Sequence, residues 1–151
     1  MTVKIAGYWD IWFEKKANEY NVCWKFMLKH FGVDEAIMLP TLNVASRFSL
    51  DYTDTTLIEM DSIEEVISDN SDLTPIIVDE RGSTALKDFI HPENVLYIFG
   101  KTGNNPLDIL QPWNGQSVYI ESVDQHLGDA LLHPHQACSI MLYDRMTKLW
   151  Q

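Results

Sequence analysis

Short apolar runs of strand length recur along this chain, and segments of helical period lie between them. Val3–Tyr8, Glu35–Leu39, Thr55–Met60, Thr74–Val78, Asn94–Phe99 and Ser117–Ile120 are the runs, with Asn-Val-Leu-Tyr-Ile-Phe at 94–99 the clearest. Strands that are apolar throughout, rather than alternating, are buried on both faces. Separated by helices, they predict an α/β domain whose mostly parallel sheet is covered on both sides. In such sheets ligands bind beyond the carboxyl ends of the strands, so the segments after Val78, Phe99 and Ile120 are the ones to inspect.

The intervening segments carry helix signals. Between Ile11 and Phe31, the residues Phe13, Ala17, Tyr20, Trp24, Met27, Leu28 and Phe31 recur every three or four positions, and Gly32 supplies a stop. Asp61 is the expected N-cap of a helix with Ile63, Val66 and Ile67 on its buried face. Ser83 is expected to cap a short helix burying Leu86, Phe89 and Ile90. Pro134 opens a last helix running to Leu149, which suits a residue without an N–H. The chain's 151 residues, 46% of them hydrophobic, suit a single domain with an ordinary core. No repeat or Pro/Gly/Ser-rich linker divides it.

Charge is unevenly spread. The net charge of -11 arises between residues 33 and 80, where twelve acids face Arg47 alone. Residues 1–32 have five Lys against three acids, which leaves a weakly basic surface on the first helix. The acidic middle reads as a solvated face. Two cysteines, Cys23 and Cys138, fall in apolar helical stretches and are expected to be buried thiols. No run approaches the roughly 18 apolar residues of a membrane span, and the opening Met1–Gly7 lacks a signal-peptide pattern. The expectation is a cytoplasmic protein.

Common catalytic motifs fail on spacing. Gly100-Lys101-Thr102 follows a strand, but a phosphate loop needs glycine where Val95 stands. His133-Pro134-His135 could share a metal only with a third ligand from elsewhere, and no metal site is expected. Ser83, Cys138 and Ser139 lack the setting that activates a nucleophile.

The stretch from Asn94 to Tyr143 is more specific. A strand ends in Ile98-Phe99-Gly100, a Gly/Asn/Pro-rich loop follows, and a second strand closes on Ile120. Leu131-Leu132 then leads into a helix reading Ala137-Cys138-Ser139-Ile140-Met141-Leu142-Tyr143. This order resembles the C-terminal half of the SPOUT-class (α/β-knot, SpoU/TrmH-like) RNA methyltransferases. Phe99 and Gly100 match that family's Phe-Gly-x-Glu-x-x-Gly loop, while Thr102 replaces the acid and Asn105 the later glycine. In the final motif Leu132 and Ala137 match, whereas His133 stands for Asn and His135 for Ser.

The resemblance implies a C-terminal trefoil knot within residues 94–147, S-adenosylmethionine as cofactor, an RNA substrate and a homodimer. It places the cofactor at Val78, Phe99, Gly100, Thr102, Gly103, Ile120, Leu132 and His133, and points to Asn43 and Arg47 on the acceptor side. The departures fall on side chains, and the backbone-defining positions are kept. Donor binding through main-chain groups survives such change better than catalysis does. The rival expectation is a non-catalytic module on the same fold, binding a protein partner.

Overall fold

The computed structural model describes residues 1–9, 24, 26–47, 54–101, 105–123 and 132–150. In chain order the strands are β1 (Val3–Tyr8), β2 (Glu35–Leu39), β3 (Thr56–Glu59), β4 (Thr74–Val78), β5 (Thr84–Ala85), β6 (Val95–Phe99) and β7 (Gln116–Tyr119). The helices are α1 (Ile63–Asp69), α2 (Pro106–Ile109) and α3 (Pro134–Leu149), and residues 26–30 are also helical. All seven strands join one sheet in the order β3-β2-β1-β6-β4-β7-β5. Every neighbouring pair is parallel.

Side chains of β6 alternate between two cores, as the period of a strand requires. Val95, Tyr97 and Phe99 join a cluster with Met27, Leu28, Cys138, Met141 and Leu142. Leu96 and Ile98 enter a second cluster with Ile63, Val66 and Leu73. The helical residues 26–30 and α3 therefore cover one face, and α1 covers the other. The α/β, mostly parallel expectation is met.

Local details differ from the sequence reading where distant partners intervene. The N-cap of α1 is Ser62, not Asp61: its Oγ accepts from Glu65 N at 3.1 Å, while Glu65 Oε2 accepts from Asp61 N at 2.9 Å. Ser83 caps no helix. Its N–H donates to Ser117 Oγ at 3.0 Å and its Oγ to Ser117 O at 3.3 Å, drawing Thr84–Ala85 onto the sheet edge as β5. Only a 3-10 turn, Leu86–Asp88, follows, and Ile90 is 85% exposed rather than buried. Gly32 does end the first helix, with φ 64. Cys138 is buried and its thiol is pushed up by desolvation; Cys23 and the helix expected before Trp24 lie outside the described residues.

The position of β7 controls the carboxyl end of the molecule. β4 and β5 are consecutive strands, yet β7 lies between them. Their link, residues 79–83, therefore passes across β7. Asp79 N donates to Val118 O at 3.0 Å. At Gly82 an added Cβ would meet backbone, 2.7 Å from Val118 O and 2.8 Å from Tyr119 N. Only a residue without a side chain permits two backbones to approach so closely.

A buried polar cluster anchors α3. Arg145 is buried and donates through Nη1 to Pro92 O and through Nη2 to Glu93 O at 2.7 Å. Lys148 Nζ donates to Leu86 O at 2.6 Å and Phe89 O at 3.1 Å. His91 meets Tyr97 Oη through Nδ1 and Asp144 Oδ2 through Nε2 at 2.8 Å. If Nε2–H donates to the carboxylate, Nδ1 is left to accept from the tyrosine, which fixes the tautomer. Burial holds the His91 pKa below its ordinary value and pushes Tyr97 to about 12. These bonds tie the C-terminal half of α3 to residues preceding β6. The helix thus runs antiparallel to the strands, and its N-terminus opens at their carboxyl ends.

Candidate functional site

The sheet order reverses between β1 and β6: β2 and β3 extend to one side, β4, β7 and β5 to the other. A crevice forms beyond the carboxyl ends where strands diverge this way. Tyr8 ends β1 there, and Lys101 follows β6 with its Nζ 5.3 Å from the centre of the Tyr8 ring. Burial, and the Glu64 carboxylate behind it, raise the Tyr8 pKa, so the ring is neutral beneath the ammonium.

Most residues singled out in the sequence come to this end. Val78 closes β4 and Phe99 closes β6; both side chains are buried in the α3-side core, so their backbones face the site rather than their side chains. Gly100 follows, half-buried. Ile120 stands just past β7, half-buried against the same core as Ala137. Leu132, 47% exposed, and His133, the N-cap of α3, arrive from the helix side. His133 N donates to Gln136 Oε1 at 2.9 Å, and its ring stacks on His135 with centroids 5.8 Å apart. Desolvation, then the neighbouring His133, lower the pKa of His135, which keeps it neutral at physiological pH. Thr102 and Gly103 lie outside the described residues.

Asn43 and Arg47 are placed differently. They follow β2, which is separated from β6 by β1, so about 10 Å of sheet intervenes. Asn43 adopts φ 57 in an exposed loop, and Arg47 ends the 3-10 turn Ala45–Arg47. The loop is held by a group that the sequence reading missed. Glu59 Oε1 accepts from Trp9 Nε1 and Leu42 N at 3.0 Å and from Val44 N at 3.4 Å, while Oε2 accepts from Ala45 N at 3.4 Å. These bonds outweigh desolvation and lower the Glu59 pKa. An acid ending an edge strand gives no such signal in the sequence, because its partners are backbone amides.

A second unanticipated group is Arg81, between Asp79 and Asp108. Its Nε lies 3.4 Å from Asp79 Oδ1 and its Nη1 2.9 Å from Asp108 Oδ1. A separate groove of about 440 Å³, lined by Glu64, Ile67, Leu110 and Trp113, lies on the α1 face, away from α3.

Two features bear on whether an adenosyl group fits at the carboxyl end. Asn105, at the position where the SPOUT loop carries its second glycine, has φ -78, which any residue adopts. Ile120, just past β7, is half-buried, and Leu132, just before α3, is 47% exposed, so both leave apolar surface accessible. The residues present therefore suit the adenosine part of S-adenosylmethionine.

No family model matches the sequence, and no curated protein matches it. Solved structures do. A candidate RNA methyltransferase from Bacillus anthracis is 20% identical with a TM-score of 0.67, covering 97% of this chain and 93% of that one. A protein described by its 2-OH methylation of C/U34 on tRNA gives 13% and 0.70, covering 99% and 92%. The SpoU methyltransferase AviRb of Streptomyces viridochromogenes, in complex with AdoMet, gives 13% and 0.69, covering 97% and 57%. The fold is that of the SpoU/TrmH RNA methyltransferases. The shared fold covers nearly the whole chain, which spans almost all of two of these proteins and little more than half of AviRb. At these identities the likeness concerns the fold.

Proposed function

We propose that this chain binds S-adenosylmethionine beyond the carboxyl ends of β6, β4 and β7 and acts as a SPOUT-type RNA methyltransferase. The observation that carries the proposal is β7 lying between β4 and β5, with Gly82 at the crossing, in a fold shared over 97% of the chain with AdoMet-bound AviRb. In this reading the chain beyond β7 threads under the 79–83 link, making residues 94–147 a trefoil knot. The loops it draws together are those of the candidate site.

When bound, the donor supplies a methyl group on a positively charged sulfur. The chain's task is positioning, which should dominate the rate enhancement in such a transfer. Gly100 admits the ligand to the backbone, and the main chain at Val78 and Phe99 forms the floor. Ile120 and Leu132 sandwich the adenine, and His133 closes the rim. Asn43 and Arg47, on the loop fixed by Glu59, face the acceptor RNA. Arg47 serves as the phosphate or hydroxyl contact in a region with no other cation between residues 33 and 80.

The same reading makes the protein a cytoplasmic homodimer. Trp24 meets His135 edge-on at 6.3 Å, so the described helical residues around Trp24 lie beside the first turn of α3. Phe26, Ile140, Tyr143 and Trp150 are exposed on these two helices, an apolar surface that a two-fold contact would bury. The rival reading, a module that binds a protein partner without catalysis, draws on Thr102 and His133 in place of the family's polar groups and on the acidic segment 33–80. Methyl-labelled S-adenosylmethionine incubated with the protein and total cellular RNA separates the two. Label in the RNA supports methyl transfer; unlabelled RNA at stoichiometric protein supports the rival.

A further inference from the structure

Asp79 immediately follows β4, and its side chain is fully buried. A carboxylate without solvent must be compensated by hydrogen bonds or a cation. Arg81 supplies both: its N–H donates to Asp79 Oδ1 at 2.9 Å, its Nε to Oδ1 at 3.4 Å and its Nη2 to Oδ2 at 3.5 Å. Asp79 is itself tied through its N–H to Val118 O of β7. The inner edge of the guanidinium is thus fixed to the point where the 79–83 link crosses β7.

Its outer edge reaches another part of the chain. Nη1 donates at 2.9 Å to Asp108 Oδ1, on α2. The segment Asn105–Ile109 is the described chain that returns after β6, Gly100 and Lys101. One planar side chain therefore spans the segments that follow β4 and β6, which are direct neighbours in the sheet. A lysine, a single point charge, could not serve both carboxylates in this geometry.

We propose that Arg81 is a positioning residue for the methyl donor: acting through Asp79 and Asp108, it holds Asn105–Ile109 beside the strand ends where the donor binds. This rests on the donor site described above. The plain alternative is a solvated surface ion pair, since Arg81 and Asp108 are about half-exposed. The two differ in what they predict. An exposed pair contributes little to global stability. A positioning pair affects donor affinity through the order of one segment, and its members act as a unit.

The test compares Arg81→Lys, Asp108→Ala and the double variant with the wild-type protein. Calorimetry with S-adenosylmethionine is expected to show each variant weakened by about tenfold, the double no more than either single, because one linkage is lost only once. Urea midpoints of Asp108→Ala and wild type are expected to coincide, while amide exchange in residues 105–109 is faster in the variant. Unchanged donor affinity, or single effects that multiply in the double variant, overturns the proposal. If the wild type itself binds no donor, the donor-site reading fails first; amide exchange still reports whether Arg81 orders α2, and unchanged exchange refutes that as well.

Discussion

Replacing Gly82 by alanine tests the crossing on which the site depends. The new methyl would lie closest to the carbonyl carbon of Val118, 2.7 Å from its oxygen and 2.8 Å from Tyr119 N. Comfortable separations are about 3.5–4.0 Å, so the overlap approaches 1 Å against three backbone atoms. None is the end of a flexible side chain. β7 cannot retreat, because it is paired with β4 on one side and β5 on the other. Overpacking costs about 1–3 kcal/mol where neighbours can adjust, and a crossing of two backbones should reach about 3 kcal/mol or more. Against a total stability of about 5–15 kcal/mol this is a large share. With a urea slope of about 2 kcal/mol/M, the midpoint should fall by about 1.5 M or more. Gly7→Ala is the control, since an added Cβ there meets nothing within 4 Å, and it should stay within about 1 kcal/mol of wild type. A Gly82→Ala midpoint equal to that of the wild type would refute the reasoning about the crossing.

His91 should make stability sensitive to mild acid. Its folded pKa is lowered, so its contribution is complete above the unfolded value of about 6.5 and is lost as pH falls from there through the folded pKa. Urea melts at pH 7.5 and 5.0 should show that loss, and His91→Asn should reduce the difference between the two. Glu59→Gln removes a carboxylate from four N–H donors and should release the loop carrying Arg47, at a cost of about 1–3 kcal/mol. Trypsin should then cut after Arg47 faster than in the wild type, and equal cutting rates would show that Glu59 does not hold the loop. Sedimentation equilibrium should give twice the 17.4 kDa chain mass, with Ile140→Lys/Tyr143→Lys shifting it toward one chain mass. On the same helix Met141 is wholly buried in the core, so a charge there would report on folding rather than on association.

Much of the fold was readable because local pattern and tertiary burial agree. β1, β2, β4 and β6 are apolar on both sides, and Pro134 and Gly32 punctuate helices where the structure begins and ends them. What escaped the sequence was settled by partners far along the chain. β5 exists because Ser83 meets Ser117, and the buried Arg145 in α3 answers carbonyls more than fifty residues away. The backbone end of the candidate site could be read from Phe99, Gly100 and the α3 start. Its side chains could not, because Asp108 meets Asp79 and Arg81 only once β6 pairs beside β4. Asn43 and Arg47 matched by residue type, yet they sit after β2, one strand beyond the crevice between β1 and β6.

The central claim is that the carboxyl ends of β6, β4 and β7 hold a methyl donor against the backbone at Gly100. Titration calorimetry of the wild-type protein with S-adenosylmethionine and S-adenosylhomocysteine tests it most directly, with Gly100→Val run alongside. The account predicts saturable binding of both ligands at one site per chain, abolished in Gly100→Val while that variant keeps a cooperative unfolding transition. Absence of binding heat from the wild type at millimolar ligand, or equal affinity in Gly100→Val, would contradict it.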